Sequence, residues 1–422
     1  MTELSYPARV AGRSPHRATG SLKRELTLAN RKRARSALLP VMPLIAFVAV
    51  FFALPIAGLL AGAVHDPTYA DNFPRSAARL AAGKPFDEAF YAALFADIRA
   101  ADAVRATGKV GRRLNRDTPG FSTMLKSATR KSRREIPIEG GFRPWFAKRD
   151  ARWVDPGFQA AIKRSAARYT DFFILKAVDL NRGAAGDLAR VAPGQALFID
   201  VFARTIAIGF GVTLICCVLG YPLAWALVHA EPRWRGAMLL GVLFPFWTSL
   251  LVRTAAWMIV LQKEGPINSL LRWLGLIDAP LALVFNRFGV YVALTHVLLP
   301  FLVLPLYSVM TTIPRDHMRA AKSLGARPTF AFLSVYLPQT LPGLSAGAIL
   351  VFIMCIGYYI TPALVGGPKD QMISYFIAFY TNNTINWGLA SALALDLLIV
   401  TLVLYALYQR VTGQAARTSL GV

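Results

Sequence analysis

The sequence predicts an all-α integral membrane protein of six transmembrane helices, with a large, mostly helical external insert between the first and second. Three observations carry this. Of 422 residues, 55% are apolar, and the mean hydropathy is +0.44, as in a chain that sits largely in lipid. Six apolar stretches reach the roughly 20 residues that a helix needs to cross a bilayer. Between the first two stretches, residues 65–200 are polar and cysteine-free.

The spans are expected near Ala37–Ala63, Thr205–Val228, Gly236–Leu261, Phe288–Thr312, Leu344–Leu364 and Trp387–Leu407. The first is too long for a cleavable signal, whose apolar region is roughly 7–15 residues, so it reads as a retained span. Pro222, Pro245, Pro300 and Pro305 fall inside spans and predict kinked or broken helices whose freed carbonyls are satisfied by neighbours. The chain divides into a basic tail 1–36, a first span 37–64, the insert 65–200, a five-helix core 201–410 with a cytoplasmic loop at 313–343, and a C-terminal tail 411–422.

The formal net charge of +24 invites a nucleic-acid reading until the charges are located. Residues 1–36 hold 9 basic against 2 acidic side chains, residues 65–203 hold 24 against 15, and the remainder holds 14 against 6. An excess spread over three regions argues against a nucleic-acid partner, which selects one basic face. Arg31-Lys32-Arg33-Ala34-Arg35, directly before the first span, places the N-terminal tail in the cytoplasm by the positive-inside rule. An even number of spans returns the C-terminus to the same side. The short connections carrying Arg233 and Arg235, and Arg315, Arg319, Lys322 and Arg327, agree. The insert is basic too, but long loops translocate largely regardless of charge. The Arg31–Arg35 cluster also suits anionic membrane lipid.

Within the insert, Phe90, Leu94, Ile98 and Val104 recur at helical spacing and predict a helix over Phe86–Thr107. Pro119-Gly120, Gly140-Gly141, Pro144 and Pro156 break the rest into pieces. Cys216, Cys217 and Cys355 all lie in apolar runs, so no disulfide framework holds the insert. The five histidines are scattered without metal-ligand spacing. No nucleophile–base cluster or paired carboxylates mark a catalytic site, and no cofactor is implied. Arg253 and Asp396 are charged residues inside apolar spans, which makes them functional candidates by default. They line a solute pathway, or form an internal ion pair that orients helices. Phe376, Phe379, Tyr380 and Trp387 read as an interfacial aromatic belt.

The connection between the fourth and fifth spans carries the most specific pattern. A short helix over Asp316–Leu324 is expected to stop at Gly325. Phe330, Leu333 and Val335 follow as apolar anchors, and Pro338 and Pro342-Gly343 return the chain to the membrane. This loop resembles that of the permeases of ABC importers: Glu-Ala-Ala, three residues, Gly, nine residues, then aliphatic, any residue, Leu-Pro. Ala320, Ala321, Gly325, Val335, Leu337 and Pro338 stand at those positions, while Arg319 stands where the family has Glu. Gly220–Ala224, Pro245–Leu250 with Val252-Arg253, Thr361–Gly367 and Asn386–Gly388 are similar to the spermidine/putrescine permease branch. The resemblance spans the first helix and roughly residues 200–410, and does not explain the insert.

The resemblance implies a type I ABC importer permease-like fold and a multi-pass subunit of a bacterial inner membrane. The function it implies is that of one permease in an ATP-driven importer of a polyamine or similar small organic solute. The implied partners are an ATP-binding subunit in two copies, a second permease subunit that is a different chain, and an external solute-binding protein. No G-x-x-x-x-G-K-[ST] phosphate loop occurs, so ATP hydrolysis falls to another polypeptide. In the family the loop helix docks on the ATPase. With Arg319 reversing the usual sign, docking is expected to rest on the close fit of Ala320, Ala321 and Gly325. A passive channel or a receptor built around the insert is the alternative, and neither needs an ATPase.

Overall fold

The computed structural model describes residues 39–419 except 137–140, 184–185, 193 and 195, with side chains over 40–410. The basic cluster Arg31–Arg35 lies outside the described residues. Helix α1 (Met42–Ala61) is a unit through Leu59. It has no buried residue, as befits an apolar helix whose surroundings are hydrocarbon. Its ladder widens to a π turn at Ala49–Ala53, just ahead of Pro55, which has no N–H to donate to the carbonyl four residues back.

The polar segment that follows folds into helices α2 (Thr68–Asn72), α3 (Pro74–Ala81), α4 (Glu88–Ala103), α5 (Thr107–Asp117), α6 (Phe121–Ser132), α7 (Phe142–Arg149), α8 (Pro156–Ala166) and α9 (Phe172–Ala177). Local chemistry starts them. Asp87 caps α4 by accepting from the Phe90 amide at 2.8 Å, and Asp155 caps α8 ahead of Pro156. The helices enclose a core of Phe90, Tyr91, Leu94, Ile98, Phe121, Phe146 and Trp153. Phe90, Leu94 and Ile98 are buried as their spacing predicts, but Val104 is 74% exposed, because α4 ends at Ala103 and Val104 is its C-cap. A two-stranded antiparallel ribbon, β1 (Leu180–Arg182) with β2 (Leu188–Arg190), is a small departure from an all-α chain.

Next come α10 (Phe198–His229), α11 (Pro232–Leu243), α12 (Leu250–Leu261), α13 (Pro266–Trp273), α14 (Arg287–Thr312), α15 (Arg315–Ser323), α16 (Pro328–Gly357), α17 (Ile360–Val365), α18 (Ile373–Asn382) and α19 (Trp387–Ser419). The chain is therefore a mostly helical membrane protein with five long apolar helices, or six spans if the bent pair at α11–α12 counts as one, among the described residues. Helices α10, α14 and α16 form its centre, with Ile208, Val212 and Cys216 against Leu294, Leu298, Val351 and Cys355. Backbones come close at Gly347, where a Cβ would sit 2.9 Å from the Leu302 carbonyl oxygen and 3.0 Å from its Cα. Small residues at crossings are the usual means of helix association in lipid.

Four spans differ from the sequence reading, the second by starting at Phe198 in place of Thr205. The expected single helix Gly236–Leu261 breaks after a 3-10 turn at Phe244–Trp247 and bends by 102°, with Pro245 in that turn. The fifth span runs over Pro328–Gly357 rather than Leu344–Leu364. Pro338 and Pro342 lie inside it and do not mark the return to the membrane, while residues 360–365 leave it as α17. The sixth continues past Leu407 into the expected C-terminal tail, to Ser419.

The base of the polar segment is locked by one buried ion pair. Asp66 accepts from Nε of Arg113, and the two residues are 6% and 1% exposed. The Arg113 guanidinium also lies 4.7 Å from the Phe172 ring centroid. Burial raises the Asp66 carboxyl, but Arg113 and the Thr68 hydrogen bonds outweigh it, leaving its pKa below the usual carboxylate range. A lowered carboxylate pKa stabilises above the unfolded value of about 4, and that stability is lost as pH falls through the folded value. Removing one partner of such a pair costs about 3–5 kcal/mol. Arg113→Met in the full chain should therefore make this segment protease-sensitive at pH 7. Lowering the pH to 5 should partly restore resistance, because the unpaired buried carboxyl then takes a proton, whereas the wild type gains nothing.

Candidate functional site

The loop between α14 and α16 is built for exposure. Helix α15 ends in a Schellman arrangement: the Ala326 amide donates to the Ala321 carbonyl at 3.1 Å and the Gly325 amide to Lys322 at 3.0 Å. Gly325 adopts φ +84°, and a Cβ there would meet nothing within 4 Å. Its glycine is thus required by backbone handedness and not by space. Ala320 and Gly325 are exposed, Ala321 is half-buried, and Leu324 is 90% exposed with Phe330 at 64%. Ala321, Leu324, Gly325, Phe330 and Val335 line an open cleft of about 550 Å³. Arg319 is exposed and reaches only Asp316 on its own helix, at 3.2 Å.

Three side chains that the sequence pattern does not single out fasten this loop to the bundle. His317 Nδ1 and Gln339 Oε1 are 2.8 Å apart, and the Gln339 amide donates to the Val335 carbonyl at 2.6 Å. Met318 packs with Met310, Phe332 and Tyr336. Between them, α16 widens to a π turn over Phe332–Tyr336, which contains Val335 and stops at Leu337-Pro338. Pro338 withholds the donor that the ladder needs there, as Pro55 does in α1. Higher on α16, the Thr340 hydroxyl lies 3.1 Å from the Tyr221 hydroxyl of α10.

Arg253 and Asp396 do not meet. Helix α12 packs on α13, α14 and α17, while α19 packs on α9, α18 and α16. Arg253 Nε and Nη1 and Asp396 Oδ2 are buried without hydrogen-bond partners. No ion pair joins the two residues, so each must be read by itself.

The polar segment is seated on the start of the last span by contacts that sequence does not reveal. The Phe173 ring occupies the space beside Gly388, where a Cβ would come within 2.3 Å of it. Arg116 donates to the Ile385 carbonyl at 3.0 Å. Asp179 accepts from the Leu197 and Ile199 amides at 3.0 and 2.8 Å, satisfying donors at the start of α10.

Comparison with known proteins finds transporter subunits similar in sequence to the second half of this chain. Residues 217–414 match the family described as "binding-protein-dependent transport system inner membrane component". The spermidine/putrescine transport system permease protein PotB of Salmonella typhimurium (strain SL1344) is 34% identical over 214 residues, which are 51% of this chain and 75% of that one. The inner membrane ABC transporter permease protein YdcU of Escherichia coli (strain K12) is 30% identical over 223 residues, 50% of this chain and 69% of that one. Among solved structures, the bacterial alginate ABC transporter with its alginate pentasaccharide-bound periplasmic protein aligns at TM-score 0.44 and 16% identity. It covers 50% of this chain and 77% of that one.

Gly325→Ala should cost about 1–2 kcal/mol through the left-handed conformation alone and loosen only the end of α15. Hydrogen exchange of the Gly325 and Ala326 amides should rise while the melting temperature of the whole chain in detergent stays fixed. Gly347→Ala should do the opposite, lowering the melting temperature by overpacking worth about 1–3 kcal/mol.

Proposed function

This chain belongs to the binding-protein-dependent transport system inner membrane components, in the spermidine/putrescine permease branch, and from that membership we propose how it works as the permease subunit of an ATP-driven importer. It forms half of the translocation pathway and pairs with a second permease that is a different chain. Two ATP-binding subunits serve the pair from the cytoplasm, and an external solute-binding protein delivers the cargo. The tail 1–36 and the α14–α16 loop face the cytoplasm, as the basic short connections require. Residues 65–197 then stand outside, where the binding protein docks.

The observation that carries the coupling role is the exposed apolar corner at Leu324-Gly325, held on a helix that is tied to two spans. Closure of the ATPase pair displaces α15. The His317–Gln339 contact and Met318 pass that displacement to α16, and Tyr221–Thr340 passes it to α10. The bundle then opens outward, in alternating access. Docking rests on fit more than on charge, because Arg319 is exposed and already engaged with Asp316, and exposed ion pairs are worth about 0–1 kcal/mol. Gly325→Asp, which puts a side chain and a charge into the corner, should uncouple solute uptake from ATP hydrolysis in reconstituted vesicles. Arg319→Ala should leave both within a few-fold of wild type. The reverse order would mean that docking depends on the residue-319 charge.

The solute is a polyamine or a similar small organic cation, as the branch suggests, and Asp396 is its meeting point in the membrane. Asp396 lies about two and a half turns into α19 with one carboxylate oxygen unpartnered, the state expected of a carboxylate that takes a passing cation. Asp396→Asn should reduce uptake at least ten-fold with the complex intact. Near-normal uptake by that variant would remove Asp396 from the pathway.

A further inference from the structure

The break in the third span leaves a polar site that the coupling scheme does not use. Two clefts, of about 310 and 330 Å³, flank the 3-10 turn, and both are lined by Phe244 and His296. Arg253 and Trp257 of α12 line the first, among Val252, Ala256 and Val260. The Trp257 indole donates to His296 Nδ1 at 3.2 Å, so that nitrogen accepts and Nε2 carries the ring's proton. Arg253 Nε and Nη1 have no partner, and guanidinium stays ionised in proteins. The groove therefore presents a fixed positive charge and a second N–H donor in an otherwise apolar wall. No carboxylate lines it: of the acids in this half of the chain, Glu231, Glu264, Asp316 and Asp370 are engaged with Arg233, Arg272, Arg319 and Arg287, Asp278 is exposed in a loop, and Asp396 stands on α19, which packs on other helices than α12 does.

We propose that the groove is an assembly site: a carboxylate on a membrane-spanning helix of the second permease subunit enters it and pairs with Arg253, with His296 Nε2 as the second donor. The inference rests on the permease pairing proposed above and names the chemistry of its contact. Charge complementarity selects the occupant. A permanent cation in a span needs a permanent counter-charge, which a solute present only during transport does not supply. A cationic solute would be repelled. The helix that bears Arg253 also exposes Leu251, Val252 and Ile259, an apolar flank on which a neighbouring helix can lie while its acid reaches the groove. Buried interfacial charge pairs of this kind fix register and partner choice.

The test uses the complete transporter, purified through a tag on this chain. The wild type should carry the second permease in equal amount. Arg253→Glu should lose at least five-fold of that chain and Arg253→Ala less, while Arg253→Lys should retain it. To separate assembly from misfolding, Val252→Cys on the wild-type Arg253 background should cross-link to a cysteine placed beside one spanning Asp or Glu of the partner. Full retention of the partner by Arg253→Glu, with or without loss of uptake, would overturn the proposal, as would cross-linking to none of the partner's spanning acids. A wild-type complex without a second permease chain would instead overturn the pairing on which it rests.

Discussion

In hydrocarbon no water is available to a backbone N–H or C=O, so each peptide group must find its partner within the protein. Proline removes a donor, and this chain's departures from regular helix gather where its prolines stand. Pro55 and Pro338 each follow a π turn, in which the ladder skips a residue to bridge the missing donor. Pro245 sits in the 3-10 turn at which the third span bends by 102°. Pro222, Pro300 and Pro305 stay inside unbroken helices, in the part of the bundle where α10, α14 and α16 pack closely. The two irregularities in the core outside that packing, at Val335 and at Phe244–Trp247, adjoin the α14–α16 loop and the Arg253 groove.

The same helices join the two ends of the molecule. Helix α10 is 32 residues long, about 48 Å at 1.5 Å per residue. Its first turn is held by Asp179 of the polar segment, and Tyr221 near its other end touches Thr340 of α16. The polar segment is in turn fixed to the start of α19 through Phe173 and Arg116, and its own base is closed by Asp66 with Arg113. In the proposed coupling, a displacement of α15 passes through these packed side chains and hydrogen bonds to the elements that carry the polar segment. Coupling of this sort needs no flexible lever, only helices stiff enough to move as bodies.

What the sequence disclosed follows the range of the interactions concerned. Gly325 was legible because a left-handed helix stop is a local requirement of one residue. The apolar spans were legible because length and composition suffice, yet the start of the fifth was misplaced: apolarity marks membrane depth, and α16 begins before that depth. Val104 kept the helical period but fell one residue beyond α4. Asp179 could not be recognised as a cap, since the amides it satisfies lie 18 and 20 residues away. His317 and Gln339 meet across 22 residues with no periodicity to announce them. Arg253 and Asp396 were visible as charges in apolar runs, but whether two such charges meet depends on helix packing, and α12 and α19 pack on different neighbours.

Magnitudes decide what the loop offers a docking partner. The Arg319–Asp316 pair is largely exposed on both sides, and such i,i+3 pairs are worth about 0.2–0.5 kcal/mol, so position 319 commits little energy either way. Leu324 and Phe330 are the larger assets. Burial of each on docking would contribute roughly 1.5–3 kcal/mol, several times the ion pair. In the proposed docking, the small residues Ala320, Ala321 and Gly325 admit a partner close enough to cover Leu324, and the left-handed turn at Gly325 sets the direction in which the chain leaves that corner. An arginine at position 319 is tolerable on that arrangement because it lies on the helix beside the apolar corner, where solvent still screens it.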